Sequence, residues 1–136
     1  PGDLEDTGIL TAAARTADGV IHAGFIHDGP DFVRAVEVER QAVHALLSGL
    51  ADNNKPFILT SGTAVLGDTG LRVFDEQTPL AARTANVGSE ALDVNLHALR
   101  GRLAVEDAVL QAAGVRGIVL RPPNVYGRSD GHAVLA

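Results

Sequence analysis

The chain has 136 residues, of which 46% are apolar, and it contains no cysteine. A chain of this length fits one domain over residues 1–136 and buries about two-thirds of the surface that its unfolded form exposes. The net charge of −6 and the scattered arginines argue against nucleic acid and anionic membranes as partners, and the lack of cysteine excludes disulfides and thiol catalysis. With no apolar run of membrane-spanning length and no signal peptide, we expect a cytoplasmic protein.

The first part of the chain predicts a helix, a strand and a second helix. A short helix ends near Ala17, and the apolar run Val20–Phe25 is predicted to be a strand with His22 packed in the core. A helix is then predicted over about Asp31–Leu50, with Asp31 as its N-cap. Its apolar residues recur at helical spacing and form one stripe that faces the core.

The stretch Lys55–Gly67 is predicted to carry the ligand site. Its run of β-favouring or apolar residues, Phe57–Thr60, is typical of a buried strand in a parallel sheet, and it leads into a turn of small polar residues. Ligands of open α/β sheets lie beyond the carboxyl ends of the strands. Thr60, Ser61 and Thr63 are therefore candidate ligand contacts, although such hydroxyls also occur simply as turn caps.

The last part of the chain predicts a helix over about Ser89–Ala113, a capping glycine at Gly114 and a strand over Gly117–Leu120. Gly101 within the helix indicates a kink or a close packing contact. A loop follows at Arg121–Gly127. The connections between the strands have the length of crossovers that join parallel strands, so the predicted fold class is α/β. The carboxyl ends of the strands are then expected to converge at one edge of the sheet.

Three other kinds of site are rejected. Glycines are spaced as in a phosphate-binding loop, but Asp68 replaces the lysine that would meet the phosphates. A metal site from His22, His27 and Asp28 is disfavoured because strand alternation separates the first histidine from the loop residues, so we expect no metal. The sequence around Ser61 lacks the G-x-S-x-G elbow of hydrolases.

Five segments, in order and at similar spacing, resemble the extended short-chain dehydrogenase/reductase family, most closely its atypical NAD-dependent epimerase/dehydratase-like members. The segments are PGDLED, ADGVIHAGF, KPFILTSGTAVLG, RLAVEDAVL and VLRPPNVYG. The resemblance implies a Rossmann-like sheet with flanking helices that binds NAD or NADP. The cofactor-binding positions it implies are Asp3, Leu4, Ala23, Gly24, Thr60, Ser61 and Pro122, and the substrate-binding positions are Asn124 and Tyr126.

The family's substrate-polarising hydroxyl aligns with a glycine, Gly62, so its neighbours Ser61 and Thr63 are the candidate catalytic replacements. The lysine of the family's Tyr-x-x-x-Lys pair aligns with Arg102, and its tyrosine aligns with Ala98. Arginine keeps a positive charge for ribose hydroxyls but does not replace a titrating phenol.

The family pair exists nowhere in the chain, because the only tyrosine is Tyr126 and the only lysine is Lys55. The resemblance also implies truncation at the N-terminal side, since the family's glycine-rich turn would precede this sequence. We therefore expect a fragment of a longer chain, or a homo-oligomer formed through the uncovered edge at Val20–Phe25.

Two functions follow from this sequence. The first is an NAD(P)-dependent oxidoreductase or epimerase acting on a sugar- or ketone-like small molecule, with weak or no activity in this chain. The second is a pseudoenzyme, a non-enzymatic ligand-binding or assembly module that self-associates, for instance as a dimer.

Overall fold

The structure is a computed structural model that describes residues 2–27, 31–66, 70–71, 73–78 and 92–123. The helices are α1 (Thr7–Thr16), α2 (Phe32–Leu50) and α3 (Leu92–Leu110), and the strands are β1 (Val20–His22), β2 (Lys55–Thr60) and β3 (Val115–Leu120). A 3-10 turn at Thr63–Leu66 follows β2. Among the described helices, none combines the length and hydropathy that crossing a membrane requires.

The three strands form a parallel sheet in the order β1-β2-β3. Ile21 lies opposite Ile58, which lies opposite Ile118. Because all three strands are parallel, their carboxyl ends lie at the same edge of the sheet. The predicted α/β class, a parallel sheet with flanking helices, is confirmed.

The core joins one face of the sheet to all three helices. Phe57 and Leu59 point to this face and are buried, as strand alternation requires. The buried cluster contains Ala14, Val43, Leu46, Leu47, Leu50, Phe57, Leu59, Val105 and Val109. On the opposite face, the Ile21 side chain is 74% exposed and Leu120 is 50% exposed. The sheet therefore carries an aliphatic surface that the described helices leave uncovered.

The predicted N-cap of α2 is confirmed. Asp31 is the cap residue, and its Oδ1 accepts a hydrogen bond from the Arg34 backbone N–H at 2.9 Å. A side chain in this position satisfies one of the backbone donors left unpaired at a helix start.

Close packing explains the glycine within α3. A Cβ atom placed on Gly101 would lie 2.6 Å from Cγ1 of Val36 on α2. The predicted packing contact at this glycine is therefore present, and it lets α2 and α3 approach each other.

Two predicted strand boundaries were wrong at their starts. β2 begins at Lys55 rather than Phe57, and β3 begins at Val115 rather than Gly117. The pairing extends that far because Lys55 lies opposite Val115 in the register.

Two predicted ends were also wrong. β1 ends at His22 rather than Phe25, since only its three residues pair with β2. Helix α3 ends at Leu110 rather than near Ala113. Gly114 has a positive φ of 68°, but it lies in the turn before β3 rather than directly after the helix.

Candidate functional site

The segments after β2 and β3 are joined by backbone hydrogen bonds. The N–H of Ser61 donates to the carbonyl oxygen of Leu120 at 2.7 Å, and the N–H of Thr63 donates to that of Pro122 at 3.2 Å. Ser61 is buried, and Thr60 and Thr63 are half-buried. The backbone of the predicted ligand turn is thus fixed at the carboxyl edge of the sheet.

Arg102 of α3 connects this edge to the neighbouring helix and to the segment that follows β1. Its Nη2 lies 3.4 Å from the Ser61 Oγ, and its Nη1 donates to the Glu39 Oε1 at 2.5 Å. Its Cζ lies 4.6 Å from the centroid of the Phe25 ring, which is within the range of a cation–π interaction. The structure therefore brings together two predicted catalytic residues, Ser61 and Arg102, and adds Glu39 and Phe25.

Glu39 is a buried carboxylate of α2, with 1% exposure. Burial raises its pKa above the usual value, and the negative charge of Glu106 acts in the same direction, while the charge and hydrogen bond of Arg102 oppose the rise. Its Oε2 has no hydrogen-bond partner in the part of the chain that the structure describes. The carboxylate thus depends on Arg102 for its compensation.

A second buried pair lies next to the first. Glu106 of α3 is 1% exposed and accepts from Arg121, directly after β3, with 2.5 Å between Arg121 Nη2 and Glu106 Oε2. Arg121 Nε also donates to the same oxygen at 3.1 Å. Arg102 on α3 and Arg121 after β3 are therefore each matched by a buried carboxylate.

His22, the last residue of β1, is buried in the core as predicted, with 5% exposure. Burial, and then the positive charge of Arg102, lower its pKa. Its Nε2 has no partner among the described residues. The imidazole is therefore held in its neutral form near neutral pH.

Two of the predicted cofactor residues are neighbours. A Cβ atom placed on Gly24 would lie 3.4 Å from Cδ2 of Leu4. The carboxylate of Asp3 is used locally, because its Oδ1 accepts from the backbone N–H groups of Glu5 and Asp6. Ala23 lies exposed directly after β1.

The remaining predicted residues lie directly after β3 or outside the residues that the structure describes. Pro122 is exposed, and its carbonyl oxygen accepts from Thr63. The predicted substrate-binding residues Asn124 and Tyr126 lie outside the described residues.

Gly62 stands in open space. No heavy atom of the described residues lies within 4 Å of a Cβ atom placed there. This is the position at which the resemblance places the family's substrate-polarising hydroxyl, so the backbone leaves room for the side chain that the sequence lacks.

The sequence reasoning missed the two buried carboxylates, although both interrupt apolar stripes. Glu39 lies three residues after Val36 and four before Val43 on α2. Glu106 has the corresponding place between Leu103 and Leu110 on α3. A charged residue on the core-facing stripe of a helix is unusual unless it is paired, which is the signal that would have identified both.

A surface groove of about 740 Å³ lies elsewhere, between α1 and α2. Its lining includes Thr11, Arg15, Arg40 and His44. The two buried polar atoms without partners in the described part of the chain, on His22 and Glu39, do not line this groove. The stronger candidate is therefore the strand-end site, which is formed by Ser61, Arg102, Glu39 and Phe25.

Two curated proteins are similar to nearly the whole chain. The uncharacterized protein YLL056C of Saccharomyces cerevisiae is 35% identical over 130 residues, which is 95% of this chain and 39% of the relative. The uncharacterized protein C2A9.02 of Schizosaccharomyces pombe is 30% identical over 131 residues, again 95% of this chain and 39% of the relative. The chain thus spans about two-fifths of the length of these relatives. No family profile and no solved structure matches it significantly.

Proposed function

We propose that this chain forms the central part of an NAD(P)-dependent oxidoreductase or epimerase-like protein for a sugar- or ketone-like substrate, with weak or no activity of its own. The observation that carries the proposal is the 3.4 Å approach of Arg102 Nη2 to Ser61 Oγ at the carboxyl end of β2. By the resemblance, Arg102 stands at the position of the family's lysine, and Ser61 matches the end of the strand that lies beside the nicotinamide ribose.

The residues at the strand ends suit the binding of a dinucleotide better than proton transfer. Arg102 offers guanidinium donors to ribose hydroxyls, and the exposed Ala23 and Gly24 leave the end of β1 without bulky side chains. The bound nicotinamide would supply hydride chemistry. General acid/base catalysis needs a group that titrates near the working pH, and arginine remains charged. Weak or absent turnover is the consequence.

The test is thermal unfolding of the purified chain with excess NAD, NADH, NADP or NADPH. A dinucleotide at about 100 times its dissociation constant stabilises the folded state by about 2.7 kcal/mol, which raises the Tm of a chain this size by several degrees. We expect this rise with one cofactor pair. An unchanged Tm with all four would contradict the proposal.

A second candidate function is self-association as a non-enzymatic module. The observation that favours it is the 74% exposure of Ile21 on β1, an outer strand of the described sheet. Exposed strand edges and aliphatic faces promote pairing with another chain. Sedimentation equilibrium of the chain distinguishes the two functions. A dimer whose Tm ignores dinucleotides would support the module, and a monomer at all concentrations would contradict it.

A further inference from the structure

We infer that Glu39 is a positioning residue of the strand-end site, which holds the Arg102 guanidinium toward Ser61 and matches its charge. The site then accepts a neutral hydroxyl group rather than a phosphate or a carboxylate. That this site binds a ligand rests on the proposed function, but two of the three tests of the inference need no dinucleotide.

The geometry gives Glu39 control over the direction of Arg102. One nitrogen of the guanidinium, Nη1, is held at 2.5 Å by a carboxylate that is 1% exposed. The Phe25 ring lies over the guanidinium carbon at 4.6 Å. Because a guanidinium is planar and rigid, fixing one nitrogen and one face also fixes the other nitrogen, Nη2, which is directed at Ser61.

The contact that Nη2 makes is weak enough to be exchanged. Its distance of 3.4 Å from Ser61 Oγ is at the outer limit of a hydrogen bond. A ligand oxygen at normal hydrogen-bond distance would be a better acceptor. The Arg102 side chain is 12% exposed, so part of it is accessible.

Charge matching selects the class of ligand group. An anion at Arg102 would compete with Glu39 and leave a buried carboxylate uncompensated, which is costly. A hydroxyl group accepts from Arg102 without displacing Glu39. The adjacent Arg121 is likewise matched by Glu106, so it adds no uncompensated positive charge.

Positioning is tested by NMR of the arginine side-chain signals in the wild type, Glu39→Gln and Glu37→Gln. Glu37 is the matched control because it lies on the same helix and pairs with Arg40 at the surface, at 2.6 Å. We expect Glu39→Gln to shift and broaden the Arg102 guanidinium signals, and Glu37→Gln to change those of Arg40 only. Unchanged Arg102 signals in Glu39→Gln would overturn the inference.

Charge matching is tested with inorganic phosphate as the probe. The wild type should show no saturable shift of the Arg102 signals, while Glu39→Gln should gain one, because its guanidinium is no longer neutralised. Saturable phosphate binding at Arg102 in the wild type would overturn the inference by itself. If Glu39→Gln does not fold, Glu39→Asp replaces it: it keeps the charge but is one methylene shorter, and it should move the Arg102 signals without gaining phosphate binding.

The third test connects Glu39 to the proposed function. For a dinucleotide that binds the wild type, Glu39→Gln should weaken the affinity about tenfold, as expected for the loss of one charge-assisted contact, and Glu37→Gln should not. Equal affinity in Glu39→Gln and the wild type would overturn the inference. If the wild type binds no dinucleotide, the proposed function fails, while the NMR and phosphate tests still decide the role of Glu39.

Discussion

Glu39 and Arg102 form an ion pair between α2 and α3 with 2.5 Å between Oε1 and Nη1, and their side chains are only 1% and 12% exposed. On the exposed side of α2, Glu37 and Arg40 form a pair of the same residue types, with side chains 47% and 46% exposed. The buried pair joins two helices, and the surface pair lies within one helix. Comparing variants of the two pairs therefore tests how much burial contributes.

The buried pair should matter far more for stability than the surface pair. Arg102→Met leaves the Glu39 carboxylate buried without its cation, a situation that typically costs about 3–5 kcal/mol. Arg40→Met leaves Glu37 in water, so little change is expected. Urea unfolding of both variants measures the difference. Equal losses in the two variants would show that burial of the Glu39 pair has no special role.

The fold was predictable where local sequence decides it. The cap of α2 at Asp31 and the buried strand at Phe57 follow from short-range patterns, and both are present. The end of β1 was not predictable, because it depends on which residues find partners on β2. Phe25 looks like a strand residue, yet its ring packs against Arg102 from a distant helix.

The candidate site was predictable in part. Resemblance to a family placed Ser61 and Arg102 in one site, and the structure brings them together. It gave no reason to examine Glu39, because a helical stripe was expected to be apolar throughout. Only the packing of α2 against α3 shows that Glu39 on α2 compensates the charge of Arg102 on α3.

The buried imidazole of His22 should make stability depend on pH. Burial, and then the positive charge of Arg102, hold its pKa below the value of about 6.5 found in unfolded chains. Below about pH 6.5, the unfolded state therefore binds more protons than the folded state. The free energy of unfolding falls as the pH drops through this range. His22→Leu removes this contribution, and its stability relative to the wild type should increase between pH 7 and pH 5.

Urea unfolding of both proteins at several pH values checks this expectation. Leucine is a suitable replacement because the His22 Nε2 has no hydrogen bond to lose within the described residues. Parallel stability profiles for the wild type and His22→Leu would rule out a contribution from the imidazole.

Gly62 should tolerate a side chain that Gly117 does not. No described atom lies within 4 Å of a Cβ atom at Gly62, so Gly62→Ser should change the free energy of unfolding by less than about 0.5 kcal/mol. The same substitution at Gly117 would force a Cβ atom into the carbonyl oxygen of Val109, so it should destabilise the contact between β3 and α3.

Thermal unfolding of the two serine variants compares them directly. Similar Tm values for Gly62→Ser and Gly117→Ser would contradict the packing described around either glycine. If Gly62→Ser folds as expected, it also places a hydroxyl where the resemblance puts the substrate-polarising group, which makes it the variant in which to look for gained dinucleotide chemistry.

The exposed aliphatic face of the sheet should control association. Ile21 is 74% exposed and lies opposite Ile58, so Ile21→Lys places a charge in the uncovered row while removing little buried surface. We expect a lower apparent mass for Ile21→Lys than for the wild type at equal concentration, with an almost unchanged Tm. Ile9→Lys on α1, where the side chain is 48% exposed, is the control and should leave the mass unchanged. Sedimentation equilibrium measures all three proteins, and a mass that falls equally in both variants would assign the effect to added charge rather than to the face of the sheet.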